Sequence, residues 1–157
     1  MESTIYLNFN GNCLEAMTTY AEILGGEITG VFRNADVSDP AHRMPGGDDL
    51  VMNMNMRLGQ SNIMASDTPG DWYTPPQGFS ISVSPGSADE FDRIHKALSH
   101  NAMKLVMAPA ETFWAERFAM FTDRFGTPWM LNHSGSKMPG ARMLRREIFP
   151  AAVKAMN

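Results

Sequence analysis

IYLNFN, residues 5–10, alternates apolar and polar side chains, the period of a strand that hides one face. After Asn12 the period changes. Ala16, Met17, Tyr20, Ala21, Ile23 and Leu24 form a helical stripe, and Gly25-Gly26 ends it. Asn12 and Glu15 read as an N-cap with its reciprocal acid. EITGVFRN, LVMNMNMRL and SNIMAS then read as strands, the last two joined by a tight turn at Gly59-Gln60. The order is β-α-β-β-β, and the second half repeats it. FSISVS is a strand, Ser87-Ala88-Asp89-Glu90 a capping box, and Phe91, Ile94, Ala97 and Leu98 a second helical stripe. MKLVMAPA, TFWAERFAMFT and TPWMLNH follow as strands. The copies keep step except at ADVSDPAHRMPGGDD, a Pro/Gly/Asp-rich insertion that fits a lid or an ordinary surface loop equally well.

A unit of this kind cannot bury its own sheet face, so two copies must cover one another. The pattern predicts an α+β fold with one domain over residues 1–134: a first module at about 4–66, a linker at 67–78 and a second module at about 79–133. Residues 135–157 form a basic extension in which ARMLRREIF reads as a short helix ending before Pro150, with Arg142, Arg145 and Arg146 on a solvated face.

Composition narrows the partners. A net charge of −4 and scattered cations argue against nucleic acid or an acidic membrane as the main partner. No apolar run reaches a membrane-spanning length, and the chain opens directly on a strand, so neither a span nor a signal peptide is expected. The lone Cys13 excludes an internal disulfide, fits a reducing cytoplasm, and reads as a small residue near a helix start rather than a nucleophile. The 14 methionines, soft fillers that recur on adaptable binding surfaces, point to a pliable apolar pocket.

YLNFNGNCLEAMTTYAEILGGE, MASDTP, FSISVSP and ETFWAERFAMFTDRFGTPWMLNH, within residues 4–133, resemble the PhnB-like branch of the vicinal-oxygen-chelate superfamily. That superfamily includes glyoxalase I, fosfomycin- and bleomycin-resistance proteins and extradiol dioxygenases. The resemblance implies that each module bends its sheet into half a barrel, that the halves enclose a cavity, and that the chain forms a homodimer. It also implies a divalent metal held by a His of the first strand and a Glu of the last strand of each module. Those positions fall on Ile5, Phe79 and Met130 and, through the repeat, on Ile63, or on Met64 if the register slips by one. None offers a hard oxygen or an imidazole, so no cofactor is expected, and a divalent metal would need ligands elsewhere. Members often carry a demethylubiquinone methyltransferase label, but the chain lacks the glycine-rich strand-to-helix turn of a nucleotide-type cofactor fold.

With the metal positions apolar, the expected pocket lining is Ile5, Leu7, Ile63, Phe79, Ile81 and Met130, with Phe9 and Val83 as neighbours; the same pattern also suits a filled core. Asn53, Asn55, Trp114, Arg117 and Asn132 are the candidate polar contacts, although Trp114 and Trp129 also fit as core aromatics. His42, His95, His100 and His133 form no ligand spacing and read as surface residues, His95 and His100 on the polar side of the second helix and His133 the best placed to matter. Asp123 and Gly126 read as turn formers. Glu111, Glu116 and Asp123 lie near strand ends in water, so no buried base is in view and no catalytic residue is assigned. The expected function is metal-independent binding of a small, partly apolar organic molecule. The alternatives are a lyase, isomerase or dioxygenase with non-standard site residues, and a dimer whose cavity is vestigial.

Overall fold

In a computed structural model, which describes residues 3–137, the repeat becomes two four-stranded sheets, each with one helix. The first module runs β1 (Ile5–Phe9), α1 (Cys13–Leu24), β2 (Glu27–Arg33), β3 (Val51–Leu58) and β4 (Ser61–Asp67). The second runs β5 (Ile81–Val83), α2 (Ala88–Leu98), β6 (Lys104–Ala110), β7 (Arg117–Thr122) and β8 (Pro128–His133). The strand orders are β1-β4-β3-β2 and β5-β8-β7-β6, so the first strand of each module is a sheet edge. It lies parallel to the last strand, and the other pairs are antiparallel. The sheets do not close into a barrel. The segment ARMLRREIF lies outside the described residues, and no described helix is long and apolar enough to cross a membrane.

One hydrophobic core serves both modules. It joins Leu7, Phe9, Met54 and Ile63 of the first sheet to Ile81, Phe121, Trp129 and Leu131 of the second, with Tyr20 of α1 and Phe91 of α2 between them. Burying side chains of this size stabilises the fold by about 1.5–3 kcal/mol each. Tyr20 links the modules through both its hydroxyl and its ring. Its hydroxyl donates to Asp123 Oδ2 at 2.6 Å and lies 2.8 Å from Thr127 Oγ1, and its ring meets Trp129 edge-on at 5.0 Å. Asp123 also accepts the Trp129 indole N–H and the Phe125 and Thr127 backbone N–H groups. The turn role expected of Asp123 is therefore present, but the expectation that it is wet is corrected: it is 1% exposed. Four donors stabilise its carboxylate there.

Glycine is required where the chain turns back from α1. Gly25 takes φ 72°, and a Cβ on Gly26 would meet Met56 Sδ at 2.8 Å, so the pair both ends the helix and lets β2 approach β3. The second helix starts as expected, with Ser87 Oγ accepting the Glu90 N–H. The first does not. Asn12 makes no side-chain cap; instead Asp67, at the end of β4, accepts the Cys13 N–H at 3.0 Å and the Val51 N–H at 2.8 Å. A carboxylate fixed by the sheet supplies what a local cap would have. Two predicted strands are also shorter. Thr112 and Ala115 close a turn, so β7 begins only at Arg117, and Phe79 precedes β5. The long insertion of the first module is tied down. The buried Asn34 side chain bonds Met44 N, Met44 O and Gly47 O, all at 2.8 Å, which favours a fixed loop over a swinging lid.

Candidate functional site

Because side chains alternate along a strand, the shared core fixes what the outer faces carry. Leu7 and Phe9, Met54 and Met56, and Ile63 and Ala65 belong to the core, so Tyr6, Asn53, Asn55 and Met64 turn the other way. The register aligns them: Tyr6 faces Met64 across β1 and β4, and Asn55 faces Met64 across β3 and β4. Asn55 Nδ2 donates to Asn53 Oδ1 at 2.8 Å, and Asn53 Nδ2 reaches the Tyr6 hydroxyl at 3.4 Å. Asn8, also on this face, accepts from Thr68 Oγ1 at 3.1 Å. The middle of the first sheet's outer face is thus an uncharged hydrogen-bonding array beside one thioether, with the Arg57–Glu27 ion pair further along the same face.

The second sheet presents a different outer face. Ala119 and Phe121, and Trp129 and Leu131, are core residues, leaving Phe118, Met120, Met130 and Asn132 outside. Met130 faces Ser82 on β5 and Met120 on β7, and Met120 faces Met107 on β6. Trp114 folds back from the β6–β7 loop onto Phe118, edge to face at 5.4 Å, and covers it. Asn132, opposite Phe118, donates to Ser134 Oγ at 3.2 Å.

The expected pocket residues are therefore divided. Met130, Asn53, Asn55, Asn132 and Trp114 stand on or over the outer faces. Leu7, Ile63 and Ile81 are buried under the helices, and Ile5 packs against them, on the opposite side of the sheets from Met130. Ile5, Ile63 and Ile81 instead border an open groove of about 1260 Å³ between the modules, together with Ser80, Ser82 and Ile94. Phe79 is 44% exposed, ahead of β5. Arg117 lies on the helix side, 3.6 Å from Asp92 of α2, and is not at the outer face. The physical reason is register. The position that pairs with Met64 on the outer face is Tyr6, not Ile5, and the one that pairs with Met130 is Ser82, not Phe79. Tyr6 and Ser82 were missed because the matching leaned on spacing, although the alternation around Leu7 and Phe9 already turned Tyr6 outward.

The donor set at the centre of these faces is a phenol, a hydroxyl, amides and thioethers, a poor match for a hard divalent ion. The Glu27 carboxylate, further along the first sheet's outer face, is ion-paired with Arg57. Among the described residues, no group of three or more His, Cys, Asp or Glu side chains converges to hold one. The titratable groups are engaged elsewhere. Glu116 accepts the Ser136 N–H and hydroxyl, and these bonds hold its carboxyl below the usual range. His133 Nδ1 lies 2.9 Å from the Pro85 carbonyl, so that nitrogen carries the proton, and its Nε2 is 3.9 Å from Glu116. His42 is exposed beside Asp39. His95 corrects its surface assignment. Its ring stacks on Phe91 and meets Phe121 edge-on at 5.5 Å, its Nε2 has no partner, and burial lowers its pKa. Cys13 is fully buried, and desolvation, reinforced by the Asp67 charge, keeps its thiol protonated.

Two βαβββ modules with these strand orders define the glyoxalase-like fold of the vicinal-oxygen-chelate superfamily, which recurs in solved structures of fosfomycin-resistance and glyoxylase/bleomycin-resistance/dioxygenase proteins at 12–15% identity. The family model described as 3-demethylubiquinone-9 3-methyltransferase matches residues 1–132. Protein YjdN of Escherichia coli K12 is 34% identical over 135 residues, 81% of this chain and 91% of that protein. Protein PA1353 of Pseudomonas aeruginosa superposes with a TM-score of 0.74 at 36% identity, covering 85% of this chain and 98% of the other. A PhnB protein of Bacillus cereus, called a putative 3-demethylubiquinone-9 3-methyltransferase, gives 0.71 at 22% identity over 85% and 99%. The chain belongs to this family, the PhnB-like branch of the superfamily.

Proposed function

We propose that the protein binds a small, neutral, partly apolar organic molecule without a divalent metal, and that it does so as a homodimer. The observation that carries this reading is the uncharged Tyr6–Asn53–Asn55 array on an open sheet face. Such groups orient a neutral ligand through hydrogen bonds, and the methionine face of the other sheet suits its apolar part. Burying one aromatic ring of 150–250 Å² contributes roughly 4–6 kcal/mol before ordering costs, so a few hydrogen bonds bring micromolar binding, about 8 kcal/mol, within reach. A second copy enters because both sheets turn their inner faces to one core, so their outer faces point away from each other within a chain. The exposed Tyr6, Phe32 and Phe79, and the unpaired edges of β1 and β5, are the surfaces a second copy would cover.

The methyl-transfer activity in the family's description gains no support from the sequence pattern. An enzyme reading needs a free base at the outer faces; Glu27 there is ion-paired with Arg57, and the buried Asp123 is fully occupied by structural donors. The test combines sedimentation equilibrium at micromolar concentration with native mass spectrometry for a co-purifying molecule and titration with Nile red, a neutral apolar dye. A dimer with saturable dye binding that weakens about tenfold in Asn55→Leu is expected, a loss of about 1.4 kcal/mol. A monomer would remove the dimer, and unsaturable dye uptake with no bound molecule would sink the binding function.

A further inference from the structure

The methionines of the second sheet are not scattered. Met107 of β6, Met120 of β7 and Met130 of β8 stand directly opposite one another, in a row across three strands. Residues paired in this way share a sheet face, with Cβ atoms about 4.5–5.5 Å apart. All three are partly buried, whereas Met54 and Met56 are packed into the core. Register shifts on both sides of Met107 mark irregularities in β6, the kind of feature that re-aims a side chain. Met is unbranched and rotates about three side-chain bonds, so three sulfurs rooted at this spacing can converge above β7.

We propose that this row binds a soft monovalent cation of the Cu(I) class through three thioether sulfurs. Thioethers select soft ions and are weak ligands for Zn²⁺ or Mg²⁺, so the row would discriminate by ligand type. The ligands are also neutral at every ordinary pH. Binding releases no proton and does not weaken on mild acidification, unlike a site built from His or Cys. The chain's one thiol, Cys13, is enclosed at the start of α1 and held protonated. This row is part of the methionine face assigned above to the apolar part of the organic ligand, so the two occupants would compete, and the metal titration is done without dye.

The test is an anaerobic titration with Cu(I) against a colorimetric chelator, repeated with Ag(I) as an air-stable probe, on protein carrying ¹³C-labelled methionine methyls. One equivalent should bind, the methyl resonances of Met107, Met120 and Met130 should shift, and the affinity should be the same at pH 6 and pH 7.5. Each of Met107→Leu, Met120→Leu and Met130→Leu should weaken binding at least tenfold while keeping side-chain volume, with folding checked by circular dichroism. Met103→Leu, exposed and off the row, and Cys13→Ala should leave binding unchanged. The proposal is overturned if the folded wild type shows no saturable binding, if binding survives the triple leucine variant, or if Cys13→Ala abolishes it.

Discussion

The two modules are alike where they face each other and unlike where they face outward. Inside, each ends its sheet beside a buried aspartate, Asp67 in the first and Asp123 in the second, and each sends leucine, isoleucine or aromatic side chains beneath a helix. Outside, the first presents Tyr6, Asn53 and Asn55, and the second presents Met107, Met120 and Met130. The inner likeness follows from packing, because two sheets must fill one core around two helices. The outer faces carry no such demand, so their chemistry is free to reflect what they touch. An amide face and a thioether face on one scaffold suit a partner with a polar side and a soft, apolar side.

The sharpest break of this comparison uses two adjacent residues. Ile63 is 4% exposed in the core, and its neighbour Met64 is on the outer face opposite Tyr6. Ile63→Glu should cost about 3–5 kcal/mol or prevent folding, because it leaves an unpaired charge among apolar side chains. Met64→Glu should cost under about 1 kcal/mol, as its carboxylate can stay in water. Urea unfolding of both variants measures the difference. Equal costs would mean that the faces are assigned the wrong way round.

Next come the two aspartates. Asp123→Ala strands two side-chain donors and two backbone N–H groups, and Asp67→Ala strands only the Cys13 and Val51 N–H groups. At about 1–3 kcal/mol per buried unsatisfied group, with partial rescue by water, Asp123→Ala should cost about 3–4 kcal/mol and Asp67→Ala about 2. The larger loss should also loosen the modules from each other, because only Asp123 binds a side chain of the other module, Tyr20, through these bonds. Limited proteolysis in the 68–80 connection is the readout, with faster cleavage expected for Asp123→Ala alone. The reverse order would mean that the modules are held chiefly by apolar packing.

The element order was legible because hydrophobic period reports which side of an element is dry, and both helices and every strand but the largely exposed β6 send side chains to one shared core. Strand ends were less so. The Thr112–Ala115 turn interrupts a run that looks continuous by β-propensity, and a hydroxyl-to-backbone bond decides it. Asn12 was misread because a local cap and a distant one leave the same need in the chain; Asp67 meets it from 54 residues away. The site was half legible. Asn53, Asn55 and Met130 follow from alternation, but pairing across β1 and β4 is a non-local fact, and a slip of one residue exchanges Tyr6 for Ile5.

Exchanging the outer chemistries sharpens the comparison further. Met120→Asn should weaken Nile red by about tenfold, or about 1.4 kcal/mol, by placing an amide where the apolar part rests. Asn53→Leu should preserve dye affinity more nearly than Asn55→Leu, because Asn55 donates to Asn53 while Asn53 donates only a long bond to Tyr6. Both should change stability by less than about 0.5 kcal/mol, as partly exposed positions do. If Met120→Asn leaves the dye unaffected, the two faces do not act on one ligand.

The smallest expected effect is a pH dependence confined to the second module. No histidine lies in α1, whereas His95 of α2 is held between Phe91 and Phe121 with Nε2 unpartnered. Burial lowers its pKa in the folded protein; the charge of Asp92 opposes this but is the smaller influence. The unfolded chain titrates near about 6.5, so between the folded value and 6.5 the unfolded state binds more protons, and stability rises with pH. The contribution is complete above that unfolded value and is lost as pH falls through it toward the folded one. The urea midpoint should therefore drop from pH 7.5 to pH 5.5, and His95→Leu, which has nothing to protonate at that site, should flatten part of the drop. Hydrogen exchange locates the effect: after correction for intrinsic rates, α2 and β7 amides should lose protection on acidification before those of α1 and β3. A slope unchanged in His95→Leu would mean that its ring turns to water at little cost, and that the two helices respond to acid alike.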